Sequence, residues 1–201
     1  MKRIGQLLLC TMLVLLLGAC GKSSSPQMYI ESAQLTEQEQ NIADLLGANQ
    51  FSQLYDFSLD DTVASLQINT YELIDGQWQI CLVGGSGQTF QDAKGRIALS
   101  FDKIPYGLRV GLQSQNHGGS STYLSQNRQD MTGMSSTISW MTGRKEVVYE
   151  QEIPLAIQIF TSESGIRSCT LDSFFHPEEY AQYGYEHIYA LTVAFSQKVP
   201  A

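Results

Sequence analysis

The chain has 201 residues, 43% of them hydrophobic and 16% charged, with a formal net charge of −8. That apolar share is enough for one packed core and excludes a disordered chain. The acidic balance, with no basic cluster to offset it, excludes a surface built to hold phosphate backbones, so no nucleic-acid partner is expected.

Lys2 and Arg3 precede an almost wholly apolar run from Ile4 to Leu17, which ends in Gly18, Ala19 and Cys20. A positive start, an apolar middle and a small-residue exit are the parts of an export signal. At about 14 residues the run is short of the roughly 20 that a membrane-spanning helix needs. The order Leu17-Gly18-Ala19-Cys20 resembles the lipobox of bacterial lipoprotein precursors. The resemblance implies a signal peptide over residues 1–19, cut by a dedicated peptidase, and a mature chain that starts at lipidated Cys20. It implies a membrane partner reached through acyl chains such as palmitate on Cys20, and a location on the extracytoplasmic face of the cell membrane. Gly21 stands where lipoproteins retained on a Gram-negative inner membrane carry aspartate, which implies the outer membrane in a two-membrane host. Each buried methylene contributes about 0.8 kcal/mol, so two or more chains hold firmly. Loss of Lys2 and Arg3 takes the formal charge to −10.

The polar segment Gly21–Gln27, GKSSSPQ, has the composition of a tether. Residues 20–35 are therefore read as lipidated cysteine and tether, and 36–201 as a single domain. Thr36-Glu37-Gln38-Glu39 matches a capping box. Ile42, Leu45 and Leu46 then share one helical face, and Gly47 suits a C-cap. This predicts one short helix lying against the body through its apolar stripe.

Beyond it the period becomes two. Phe51, Gln53, Tyr55 and Phe57 open the β signal, and Ala64, Leu66, Ile68 and Thr70 alternate with Ser65, Gln67 and Asn69. Asp75-Gly76 has the chemistry of a hairpin turn before the strand Trp78–Val83. Ile97, Leu99 and Phe101 alternate next, then Leu108, Val110 and Leu112, then Ile138 and Trp140. Glu146–Thr161 is a longer run in which Pro154 marks an edge, a bulge or a break. Ile166–Leu171 and Ile188–Phe195 close the series, and Gln113–Ser136 is the one long polar segment. About nine short strands with one helix in front predict a mostly β fold, an antiparallel two-sheet β-sandwich, with a β-barrel as the alternative.

Cys10 lies in the signal and Cys20 in the lipobox, leaving Cys81 and Cys169. An exported compartment permits a bridge between them. Their apolar surroundings, WQICLV and IRSCTL, equally suit two buried free thiols. Gly84–Gln88, GGSGQ, lacks the Lys-Ser/Thr ending of a phosphate loop and the last glycine of a nucleophile elbow, and reads as a hairpin connection. His117, His176 and His187 fit no metal spacing, and no cofactor is expected. Trp78 and Trp140 alternate with apolar neighbours and read as core residues.

Phe174–His187 is aromatic: Phe174, Phe175, Tyr180, Tyr183 and Tyr185 stand on a segment interrupted by Pro177 and Gly184. Rings with polar tips on a loop suit recognition of a carbohydrate or protein ligand, and these five are the candidate ligand-binding residues. The competing expectation is that Phe174 and Phe175 plug the end of the core and leave only the tyrosine tips in water. No catalytic residue is assigned, which favours a non-enzymatic binding or envelope-structural module. The runner-up is a hydrolase of cell-wall or polysaccharide material, for which Asp60, Asp61, Glu178 and Glu179 are the available acids.

Overall fold

The computed structural model describes residues 28–89, 92–125, 129–167 and 169–199, without the side chains of residues 83–88. The signal segment, Cys20 and Gly21–Gln27 lie outside the described residues. In chain order the elements are β1 (Tyr29–Ser32), α1 (Glu37–Leu45), β2 (Ser52–Ser58), β3 (Ser65–Ile74), β4 (Gln77–Thr89) and β5 (Lys94–Ser100). There follow β6 (Gly107–Ser114), β7 (Gly118–Leu124), β8 (Ser135–Trp140), β9 (Arg144–Glu146), β10 (Ile153–Thr161) and β11 (His187–Ser196). Single 3-10 turns occupy Ile104–Tyr106, Leu171–Phe175 and Pro177–Tyr180. No helix among the described residues is long and apolar enough to cross a membrane.

The strands form two antiparallel sheets, β7-β6-β5-β2-β1-β9 and β4-β3-β11-β10-β8, and neither closes on itself. The fold is therefore a sandwich and not a barrel. Alternation decides which side chains meet between the sheets. Tyr55, Phe57, Ile97, Leu99, Leu108 and Val110 come from the six-stranded sheet, and Leu66, Ile68, Leu191, Val193 and Phe195 from the five-stranded one. Phe57 and Phe195 meet across the gap with ring centroids 5.5 Å apart. The buried Tyr55 hydroxyl donates to the Leu155 carbonyl at 3.1 Å, tying the sheets by a polar contact as well. Asp75 and Gly76, at φ of 51° and 75°, make the tight turn between β3 and β4. Gly95 is required for another reason: a Cβ there would lie 2.7 Å from the Gln113 carbonyl oxygen on the next strand.

Several expectations need correction. β1 occupies Tyr29–Ser32, inside the stretch read as tether, because it finds partners on both sides. Arg144 on β9 pairs with Glu31 at 2.8 Å and covers the Tyr29 ring at 3.8 Å. The polar segment Gln113–Ser136 contains β7, an edge strand whose Tyr123 packs on the core. Gly84–Gln88 is no hairpin connection but the continuation of β4. Pro154 sits at an irregularity in the pairing of β10 with β11, so the bulge is the alternative realised. The described residues of Ile166–Leu171 form no strand; they enter a connection that folds back over the five-stranded sheet. Because that connection covers the outer face, all nine residues of β10 are buried.

The helix forms as expected at its start. The Thr36 hydroxyl accepts from the Glu39 backbone N–H, and the Glu39 carboxylate accepts from the Thr36 N–H at 2.8 Å. Its packing is the reverse of the expectation. No residue of α1 is buried, and Ile42, Leu45 and Leu46 are 50%, 87% and 84% exposed. The helix is held instead by its polar side, through Glu39 to Arg96 at 3.2 Å. Arg96 in turn holds Asp56 at 2.6 Å, which places α1 over the outer face of the six-stranded sheet.

Candidate functional site

The connection between β10 and β11 carries the sequence-derived candidates and divides them. Phe174 and Tyr180 are buried, in a second core layer formed with Ile157, Ile159, Ile188 and Ala190. Phe174 stacks on Trp78 with centroids 5.2 Å apart, and the Trp78 indole donates to the Phe174 carbonyl at 2.8 Å. Trp78, half-buried here, belongs to this outer layer and not to the sandwich core. Trp140 is half-buried against the sandwich core and donates to the Gln50 carbonyl at 3.0 Å. Phe174 is buried as the core-plug expectation has it, and Tyr180, expected to keep its tip in water, is buried as well. Phe175 is exposed and meets Phe174 edge-on.

Tyr183 and Tyr185 remain as a pair. Their rings stack at 5.4 Å with an interplanar angle of 19°. They line an open hollow of about 490 Å³ together with Glu163, Arg167 and Gln182. The Tyr185 hydroxyl accepts from the Arg167 N–H at 2.9 Å and donates to the Arg167 carbonyl at 3.2 Å, so the hollow is braced from within. The Tyr183 N–H donates to the Tyr180 carbonyl at 3.0 Å, linking the hollow to the buried layer below. Glu163, Arg167 and Gln182 were not singled out in the sequence, since isolated polar residues in a loop carry no periodic signal.

The base of this connection is fastened by Glu186, whose carboxylate accepts from the Ser162 hydroxyl and, at 3.1 Å, from the Ser162 N–H. These bonds, the Ser162 hydroxyl foremost, hold Glu186 down to about 2 from an ordinary 4.5. A carboxylate depressed in the folded state contributes stability that is present above pH 4.5 and is lost as pH falls towards 2. Amide exchange across residues 162–186 should therefore accelerate over that window, and Glu186→Gln should flatten the pH dependence. An exchange rate in the wild type that tracks only the intrinsic chemical rate would contradict this.

A second polar group, which the sequence reading missed, sits at one end of the sandwich. Glu72 accepts from the Tyr189 hydroxyl at 2.9 Å and from the Gln129 amide at 3.3 Å, with His187 Nδ1 also at 3.3 Å. Burial, then the Glu72 carboxylate, pushes the Tyr189 hydroxyl far above the usual tyrosine range. Tyr106 donates to the Gln129 carbonyl at 2.9 Å, so the group straps the residues after β7 over the end of the core. The available signal was Glu72 itself, which continues the inward series Leu66, Ile68, Thr70. Tyr189 is buried, Glu72 and His187 are partly buried and Gln129 is exposed, and the chemistry of the arrangement is that of a clamp.

Of the four acids considered for hydrolysis, three hold separate local partners. Asp60 accepts from Thr62 and from Tyr149, whereas Glu179 accepts from Ser173 and Glu178 lies by His176. His117 lies 3.1 Å from Asp92, which also accepts from Ser114 and Asn116 and so closes the β6–β7 turn. The Ser114 hydroxyl leads the causes that hold Asp92 well below the usual carboxylate range. Among the described residues no group of three or more His, Cys, Asp or Glu could hold a metal ion. Cys81 and Cys169 are both free, so the bridge weighed above is not formed. Cys81 contacts the Thr70 hydroxyl, and burial raises the thiol pKa at both positions. A raised pKa disfavours the thiolate that nucleophilic chemistry needs. No family model, curated protein or solved structure matches this chain.

Proposed function

We propose that this protein is an acyl-anchored lipoprotein, held through Cys20 on the extracytoplasmic face of its membrane, whose sandwich serves as a non-enzymatic binding module for carbohydrate of the cell envelope. The observation that carries the binding reading is the hollow of Tyr183, Tyr185, Glu163, Arg167 and Gln182. A sugar ring offers apolar C–H faces and a rim of hydroxyls. Tyrosine rings complement the former, while a carboxylate, a guanidinium and an amide complement the latter. A volume of about 490 Å³ is in the range of small-ligand sites. The bracing by Tyr185 keeps the ordering cost of binding small.

Two measurements test the two halves of this reading. Mass spectrometry of the N-terminal peptide from the native host should find acylated Cys20 as the first residue; an unmodified Cys20 or an intact Met1 removes the anchor. On an array of peptidoglycan fragments and surface polysaccharides, the wild type should retain a glycan without releasing product. Tyr183→Ala should weaken that binding about tenfold or more, the effect of losing an aromatic anchor, with the melting temperature little changed. Binding unaffected by Tyr183→Ala would sink the site, and released product would favour the hydrolase.

A further inference from the structure

We propose that the outer face of the six-stranded sheet docks on the lipid bilayer, with the apolar side of α1 dipping into the interface. The proposal rests on anchorage through Cys20. Its starting point is an amphipathic helix turned inside out: the Glu39 side is fastened to Arg96, while Ile42, Leu45 and Leu46 face outward. Leu124, 64% exposed, adds to the same face, because its neighbour Tyr123 points into the core and successive side chains alternate. Leu124 lies on β7, three strands from β2, a lateral offset of about 14 Å at the usual strand spacing.

The size of this surface selects its occupant. Four side chains fall well short of the roughly 800 Å² per partner of a standard protein–protein interface. A bilayer needs no complementary partner surface, and a small apolar contact suffices when a tether makes it intramolecular. The tether has the required reach. The eight steps from Cys20 to Met28 span at most about 26–29 Å. Along the sheet, the level of Tyr29 lies opposite Ser58, and Ser52, where the chain returns from α1, lies six residues further. Six strand residues cover about 20 Å. The sheet can therefore lie flat on the membrane from its anchor point. The acidic charge of the helix does not oppose this, since Glu39 is paired with Arg96 on the sheet side and screening confines the remainder to about 8–10 Å.

The test uses the full-length lipoprotein isolated from its host and reconstituted in phosphatidylcholine vesicles at high lipid excess. Amide exchange over residues 42–49 is compared with that of a Leu45→Gln, Leu46→Gln variant, whose helix propensity is nearly the same. The wild type should exchange about tenfold more slowly on vesicles, and the variant should lose that protection while still floating with the lipid. Equal rates in acylated, floating protein would overturn the docking and leave the anchor standing. Protection that fades as the protein is diluted in the bilayer would assign the face to a second copy and overturn the lipid occupant. A Cys20 without lipid would remove anchor and docking together.

Discussion

Gln158→Leu should lower the unfolding free energy by about 2–4 kcal/mol, about 1–3 for leaving the buried Ile104 N–H without a partner and about 1 for the part-buried bond to Asp102. Gln158 is fully buried on β10 and faces the opposite sheet. Its Oε1 accepts from the Ile104 N–H at 2.8 Å, and its Nε2 donates to the Asp102 carbonyl at 3.2 Å. One side chain therefore satisfies both ends of the turn that crosses from β5 to β6. Leucine keeps the approximate shape and supplies neither bond. Thr192→Val is the matching control, for the Thr192 hydroxyl is fully buried and has no hydrogen-bond partner. Removing it should be neutral or stabilising, by up to about 1–3 kcal/mol. Urea midpoints with unchanged slopes check both. Two substitutions of the same chemical kind should thus move stability in opposite directions, and a Gln158→Leu protein as stable as the wild type would contradict the role of the amide.

Phe174→Ala should be comparably severe, at about 3–5 kcal/mol for an aromatic truncated in a packed site. Phe174 contacts Trp78, Tyr71 and Phe175 through its ring, at centroid distances of 5.2, 5.7 and 5.3 Å. Its loss opens the layer that covers Ile157, Ile159, Ile188 and Ala190. Tyr180→Phe, six residues on, should instead hold or gain stability, because the Tyr180 hydroxyl is buried without a hydrogen-bond partner. If Phe174→Ala melted like the wild type while abolishing glycan retention, Phe174 would be a ligand contact after all.

The contrast between Phe174 and Tyr183 shows where sequence reasoning reaches and where it stops. Strands with an apolar face towards the opposite sheet announce themselves, and Leu66-Ile68-Thr70 and Ile97-Leu99 fall where alternation puts them. β1 and β7 do not, because a short strand flanked by polar neighbours is fixed by its partners and not by its own composition. The apolar stripe of α1 was legible as a stripe, but what it faces is a tertiary fact: the ion pair between Glu39 and Arg96 spans 57 positions. The candidate aromatics were visible as a cluster. Which of them plug the second layer and which line a hollow depends on the 3-10 turns after Thr170, for which no periodic signal exists.

β1 lies between β2 and β9 and is the first element of the described residues. Backbone bonds of an antiparallel ladder stand perpendicular to the strand. In a chain held from its N-terminus, tension along β1 therefore falls on the pairs from Tyr29 to Ser32 with β2, and from Tyr29 to Glu31 with β9, all at once. Such tension would load the strand in shear. Under the proposed anchorage through Cys20, these paired residues would act as a mechanical clamp at the start of the sandwich.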